Sequence, residues 1–316
     1  MNPPDRASPP PAAALSRGAP TPPRLSAAFA MAWLECLEAS MRLPGDPPFA
    51  RIRSLSGRTA RVCLPLLSYS HLGSSEAAAA VARPGGGTAV VRHLTAPAPD
   101  LPAGTPVVSM LDLGTWADAG RLWEHGLSAN LRKKIRRVRK AGGTVARGRG
   151  PEDAARFFDL FARTMHRHGT PPHPPALFAT ALQRLDAEIL FVDLAGRTVA
   201  AYFVLHDPGN ITLFQWAGFD ETVPVGYASL LGEWAAIESA FARGARWFDL
   251  GRAPLGSPSW RHKQYWHPTL FHATTTPPPR GNLYARFRLA AALWKHLPQG
   301  VATRLGPRII RHLPDA

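Results

Sequence analysis

AEILFVDLAGRTVAAYFVLHDPGNITLFQWAGF, residues 187–219, decides the fold. Three apolar, β-branched and aromatic runs (187–194, 197–207 and 211–219) are separated only by Ala195-Gly196 and by Pro208-Gly209-Asn210. Runs of this composition form strands, and such short, glycine-bearing connections join antiparallel neighbours. The segment reads as a meander. Upstream, 151–169 and 174–185 carry the apolar spacing of amphipathic helices, with Pro151 suited to a first turn and Gly169 to a C-terminal stop. Downstream, GYASLLGEWAAIESAFARG (226–244) reads as a helix, 246–250 as a strand, and 268–274 as a last strand. The order is helix, helix, three strands, helix, strand, loop, strand.

The first half is α/β material as well. Residues 28–40 have helical periodicity, 51–61 are polar and turn-like, and 61–73 read as a strand entering a loop. Residues 88–94 and 107–113 are short strands, and a helix is expected to begin near Trp116. Then comes LSANLRKKIRRVRK, 127–140. Ser128 is a plausible N-cap, and Leu131, Ile135 and Val138 share one face. Arg132, Lys133, Lys134, Arg136, Arg137, Arg139 and Lys140 crowd the remainder with no acidic partner within the helix, and repulsion at i,i+3 and i,i+4 costs stability. The helix is either a solvated basic face or an anion-binding one, with Arg136 a candidate contact to a phosphate-bearing substrate or tRNA.

Composition sets outer limits. The chain has 316 residues, 45% of them hydrophobic, and a formal net charge of +15. That balance suits anionic partners but says nothing about fold. Its two cysteines, Cys36 and Cys63, form neither a CxxC pair nor a zinc-type spacing, and no HExxH occurs, so no metal site is expected. No Gly-x-Ser-x-Gly is present, which favours direct transfer chemistry over a covalent intermediate. The Pro- and Ala-rich start lacks an uninterrupted apolar stretch and reads as a disordered tail. No run of 18 apolar residues exists. The expected location is cytoplasmic, or peripheral at the inner face of a membrane through the basic amphipathic segment 282–313.

Residues 247–271, WFDLGRAPLGSPSWRHKQYWHPTLF, look like a site built at a strand end. Trp247 to Leu250 is apolar except for Asp249, Arg252 stands at its tip, and Lys263 follows a small-residue loop among Tyr265 and Trp266. Arg252 suits bidentate recognition of phosphate or carboxylate. Asp249 could act as a base or orient Arg252.

Several stretches resemble one known family. Leu131 to Arg137 with the turn Lys140-Ala141-Gly142-Gly143, His168-Gly169-Thr170-Pro171, and Phe248 to Arg252 with Lys263 and Trp266 are similar to the FemAB-like branch of the GNAT-superfamily acyltransferases. The C-terminal segment resembles the exosortase-associated FemAB group. The resemblance implies an α/β (α+β) fold of tandem GNAT-like domains, with mixed, mostly antiparallel sheets flanked by helices. It implies a disordered tail (1–27), an N-terminal domain ending in the basic helix (28–145), a C-terminal acyltransferase domain (146–278) and a basic helical tail (279–316). It implies Lys263 near the reacting carbonyl or the acceptor's phosphates, with Asp249 as a second catalytic candidate. Gln215 and Trp216 would flank the opening between two splayed strands, with His168, Thr170, Tyr202 and Arg252 as acceptor contacts. Gly226, Tyr227 and Ala228 stand at the loop where GNAT proteins cradle the pyrophosphate of coenzyme A, although Val223 replaces the usual Arg or Gln. His262 stands where Phe is usual, and His267 where Gly commonly follows the Trp.

The expected function is transfer of an acyl or aminoacyl group, from acyl-CoA or aminoacyl-tRNA, to an amine or hydroxyl of a cell-envelope or exopolysaccharide precursor. The acceptor would carry phosphate, saccharide or peptide. Two alternatives stay open: an acyl-CoA-dependent N-acyltransferase acting on a small molecule, and a non-catalytic binding module on the same scaffold.

Overall fold

The structure, a computed structural model, describes residues 20–55, 57–83, 87–96, 100–220, 222, 227–278 and 283–313. The elements in chain order are α1 (Ala27–Met41), β1 (Gly45–Asp46), β2 (Phe49–Arg53), β3 (Thr59–Cys63), α2 (Ser74–Ala82), β4 (Thr88–Thr95) and β5 (Pro106–Asp112). A short turn α3 (Ala119–Arg121) leads to the basic helix α4 (Ala129–Lys140), then β6 (Thr144–Gly148), α5 (Pro151–His168) and α6 (Pro175–Arg184). The meander is β7 (Ala187–Leu194), β8 (Arg197–Asp207) and β9 (Ile211–Phe219). After it come α7 (Ala228–Ala242), β10 (Trp247–Pro254), α8 (Pro258–Lys263), β11 (Thr269–Thr276), α9 (Leu283–His296) and α10 (Gln299–Ile310).

All strands join one mixed sheet of order β1-β2-β3-β4-β11-β5-β10-β9-β8-β7-β6. Among the described residues only β3–β4 and β9–β10 pair in parallel. The two halves of the sequence are interleaved in it, because β10 and β11, from the second half, flank β5 from the first. The domain boundary expected at residues 145–146 falls inside β6.

Both faces are covered, which is why the meander strands read as nearly continuous apolar runs. Alternate residues go to opposite faces: Phe203 and Leu205 join the core with Phe157, Phe161 and Phe178 of α5 and α6, while Tyr202 and Val204 join Trp234 and Ile237 of α7. The expected face of α4, Leu131, Ile135 and Val138, is buried beside α7, and Ser128 caps it by accepting from the Leu131 N–H at 3.2 Å. Residues 1–19 of the expected tail lie outside the described residues. Its end is anchored: Leu25 is buried, and Ser26 caps α1 and is held by Asp207 through its N–H (2.7 Å) and hydroxyl (2.6 Å).

Several local readings are corrected. Residues 51–61 are a β2–β3 hairpin, not a turn, because Phe49, Ala50 and Ile52 turn inward onto the core while the arginines between them face out. The strand read at the start of 61–73 ends at Cys63 and enters the expected loop, where Leu64 and Leu66 take positive φ (45° and 71°). The helix expected from Trp116 is one turn, Ala119–Arg121, followed by a single π turn over Leu122–Gly126.

Candidate functional site

The site forms where β9 and β10 part. They pair only at Ile211–Trp247, Thr212–Phe248 and Leu213–Asp249. Beyond that, each strand carries a bulge. On β9, Phe214 and Trp216 face consecutive partners on β8, so Gln215 is the extra residue. On β10, the register against β5 shifts between Asp249 and Arg252. Bulges bend a strand and leave the extra residue outside the ladder. Two of them on neighbouring strands open a V, and a cleft of about 750 Å³ lies in it.

Lys263, at the C-terminal end of α8, donates from Nζ to the carbonyls of Gly251 (2.6 Å) and Arg252 (3.2 Å). It pins the turn where β10 bends away, at a Gly251 whose φ of 87° suits glycine. Burial pulls its ammonium down to about 8, against the raising pull of Asp249 and Glu233. Arg252 lines the cleft with its guanidinium in no hydrogen bond or ion pair among the described residues. Gln215 also lines it and donates to the Leu66 carbonyl at 2.9 Å, tying β9 to the 64–70 loop. Trp216 packs edge-on against Phe178 (5.4 Å) and His173 (5.3 Å). Thr170 and Tyr202 complete the expected group, Tyr202 stacked on Phe214 at 4.5 Å. Burial, then the nearby Glu233, holds the Tyr202 phenol well above its usual range, so it is a neutral group. Its hydroxyl has no hydrogen-bond partner among the described residues.

Asp249 is not among the lining residues. It is 2% exposed behind the strand end, accepting from the Gly251 N–H at 2.6 Å. Burial raises its carboxyl to about 6, offset in part by Gly251, Lys263 and the nearby Tyr69 hydroxyl. Arg136 is also elsewhere: its guanidinium lies 5.7 Å from the Trp123 ring, on the flank of α4 whose Arg139 meets Glu238. The residue of α4 that turns toward the site is Lys134, its ammonium over the rings of Tyr265 (3.9 Å) and Tyr227 (4.7 Å). Tyr227 precedes α7, whose first turn has no side-chain cap, and Ala228 is buried. Gly226 lies outside the described residues.

The sequence reading overlooked Glu233. It is 5% exposed in the middle of α7 yet lines the cleft. His262 Nε2 lies 2.6 Å from its Oε1, and the Trp266 indole N–H donates to its Oε2. The available signal was a lone carboxylate in the otherwise apolar LLGEWAAI, since a buried charge needs partners. His173, Ser229 and Ser259 also line the cleft. Cys36 and Cys63 are buried free thiols, pushed up to about 12 by burial, and are not activated nucleophiles. Among the described residues no cluster of His, Cys, Asp and Glu could hold a metal ion.

Residues 126–264 match the family model described as an acetyltransferase (GNAT) domain. This segment is similar to a GNAT acetyltransferase domain. The matched segment takes in α4, the splayed pair β9–β10 and Lys263. Among solved structures, L-PGS from Bacillus licheniformis is similar at 12% identity, TM-score 0.50, over 88% of this chain and all of that one. The C-terminal domain of a putative lysylphosphatidylglycerol synthetase from Agrobacterium fabrum is similar at 15% identity, TM-score 0.46, over 84% of this chain and 96% of that one. FemX is similar at 13% identity, TM-score 0.46, over 53% of this chain, which spans 60% of the FemX chain. At such identities the likeness concerns the fold. No curated protein matches the chain at the level of sequence.

Proposed function

We propose that this GNAT domain transfers an acyl or aminoacyl group directly to an amine or hydroxyl of a cell-envelope precursor, an exopolysaccharide precursor among them. The observation that carries the reading is the cleft at the β9–β10 splay, lined on one wall by Lys263 and Arg252. Acyl transfer develops negative charge on the former carbonyl oxygen, and preorganised donors in a water-poor cleft stabilise it. Lys263 has three N–H donors and spends two on Gly251 and Arg252. The third is left for an oxygen in the cleft. Arg252 suits a phosphate or carboxylate on the acceptor, as in a lipid- or nucleotide-linked precursor. Asp249 holds the Gly251 turn from behind and so positions Lys263.

The donor's phosphates would sit at the start of α7. The uncapped first turn presents orphan N–H groups, and Lys134 stands beside it over Tyr227. Those residues fit the pyrophosphate of acyl-CoA, and the basic face of α4 fits an aminoacyl-tRNA. The second reading, an acyl-CoA-dependent N-acyltransferase on a small molecule, is favoured by that same helix start.

The test offers radiolabelled acetyl-CoA and a mixture of charged tRNAs, separately, to the full-length protein with extracted envelope precursors as acceptors. Label should move from one donor and not the other, and Lys263→Ala should lower the rate about 10²-fold. Absence of transfer from both donors would sink the proposal in favour of a non-catalytic binding module.

A further inference from the structure

We propose that His262, held by Glu233, is the proton acceptor for the nucleophile in this cleft. The inference rests on the acyl-transfer reading above and deepens it. His262, on α8, and Glu233, on α7, both line the cleft. Their Nε2–Oε1 separation is 2.6 Å, and the Glu233 carboxylate is fixed on its other oxygen by the Trp266 indole. A carboxylate accepting at Nε2 selects the tautomer with its proton there, leaving the lone pair on Nδ1. No protein group among the described residues bonds Nδ1, and the imidazole side chain keeps 36% of its surface exposed. A base oriented by a buried carboxylate and open to the cleft is the arrangement general-base catalysis requires.

The groups facing His262 set its protonation. Burial lowers its affinity for a proton, Glu233 more than restores it, and Lys263 and Lys134 oppose Glu233; the net direction is upward. The Tyr265 ring meets the imidazole edge-on at 5.9 Å. Tyr202, neutral, faces Glu233 from β8. A histidine raised from its ordinary value is a stronger base.

In the step proposed, the acceptor nitrogen or oxygen forms its bond to the acyl carbon as its proton passes to His262 Nδ1. The bond from acyl carbon to the donor's sulfur or oxygen then breaks. The electron pair leaves with that atom, which takes the proton back from the imidazolium. No proton or electron is left over.

The test has two arms. Nitrogen-detected NMR of the imidazole in the wild-type protein should show the Nε2–H tautomer, with a titration midpoint that falls in Glu233→Gln. In the transfer assay, with whichever of acetyl-CoA and charged tRNA is the donor, kcat should fall at acid pH as His262 becomes protonated. His262→Ala should lower kcat about 10²-fold, leave KM near wild type, abolish the acid limb and recover part of the rate with added imidazole. Glu233→Gln should move the limb to lower pH. His262→Gln, close to the native shape and checked by circular dichroism, guards against an unfolded Ala variant. A His262→Gln protein that is folded and keeps wild-type kcat and its acid limb overturns this proposal alone. So does a His262 titration indifferent to Glu233→Gln. Wild-type protein inert with both donors overturns the acyl-transfer reading, and the catalytic role with it.

Discussion

At the scale of single residues, the charged groups that lie at the cleft do different work from their neighbours behind it. Asp249 shows the difference. Its folded-state value of about 6 stands above the ordinary 3.8. The folded protein therefore keeps a proton that the unfolded chain loses across that window, and folding becomes less favourable as pH rises through it. Above about pH 6 the full cost persists, on the order of 3 kcal/mol for roughly two units. Asn at this position keeps an oxygen to accept from Gly251 and carries no charge. Asp249→Asn should raise stability at pH 7.5 by a few kcal/mol, with the gain shrinking toward pH 4, as read by urea denaturation at both values. If catalysis used the Asp249 carboxylate, the variant would also lose transfer activity; as a positioning group it should keep most of it. The residues legible beforehand were those whose chemistry stands out at a strand end: Lys263, Arg252 and Gln215 all reach the cleft. Glu233 was not legible because its partners, His262 and Trp266, lie some thirty positions on and meet it only across the fold. Arg136 could not be told from Lys134, because both belong to the same charged run and only the packing of α4 against α7 decides which turns to the site.

At the scale of elements, long periodic segments were readable and short ones were not. Helices α1, α5, α6 and α7 and the meander follow their apolar patterns because each buries a full stripe or face. The two-turn α8 has no buried residue, and β6 is a mostly exposed edge strand, so neither left a pattern to find. The packing of α5 on β9 is close enough to test. A Cβ placed on Gly218 would sit 2.6 Å from the Phe161 backbone nitrogen and 2.7 Å from the Leu160 carbonyl carbon. Neither backbone atom can swing aside, so Gly218→Ala should cost about 1–3 kcal/mol by overpacking, seen as a lower thermal midpoint. The polar end of the meander is a second element-level contact. Burial alone would raise Glu188, yet His206, Ser239 and Arg147 bond it and bring it down to about 2. Removing that charge with Glu188→Leu should strand Arg147 and His206 and cost about 3–5 kcal/mol, measured by the same denaturation.

At the scale of the whole molecule, protonation of buried groups shapes the pH response. His173 is buried against Phe161 and Trp216, and burial lowers it to about 4. The unfolded chain takes up a proton near 6.5 that the folded protein refuses, so stability falls as pH drops from 6.5 toward 4. Asp249 has the opposite slope over nearly the same interval. The wild-type profile should therefore be comparatively flat there. His173→Phe should tilt it so that stability falls with rising pH, and Asp249→Asn so that it rises, both followed by denaturation at half-unit steps. The net charge of +15 was plain from composition, but its placement was not. Helix α10 buries Ala302, Gly306 and Ile310 against the protein, and Ile310 reaches the cleft. Val301 and Leu305 remain exposed near Arg304 and Arg308. No helix among the described residues is long and apolar enough to cross a membrane. Anionic liposomes should carry the protein upward in flotation at low salt, and Leu305→Glu should weaken this while leaving the thermal midpoint unchanged; equal flotation by both would exclude the surface.

The position of β11 also governs how the chain can reach this structure. Strand β4 has only β3 and β11 as neighbours, and β5 only β11 and β10. His272 must find Thr95, and Thr269 must find Met110, across about half of the polypeptide. Contacts so distant in sequence are slow to form because loop closure comes before any reward. During synthesis, β4 and β5 each keep an open edge until residue 276 has left the ribosome, and the α8 loop between β10 and β11 is drawn into place no earlier. The cleft, which Ile310 of α10 also lines, is thus finished only late in vectorial folding, and a nascent chain stopped short of β11 presents unpaired strands to whatever chaperone or aggregate meets it first.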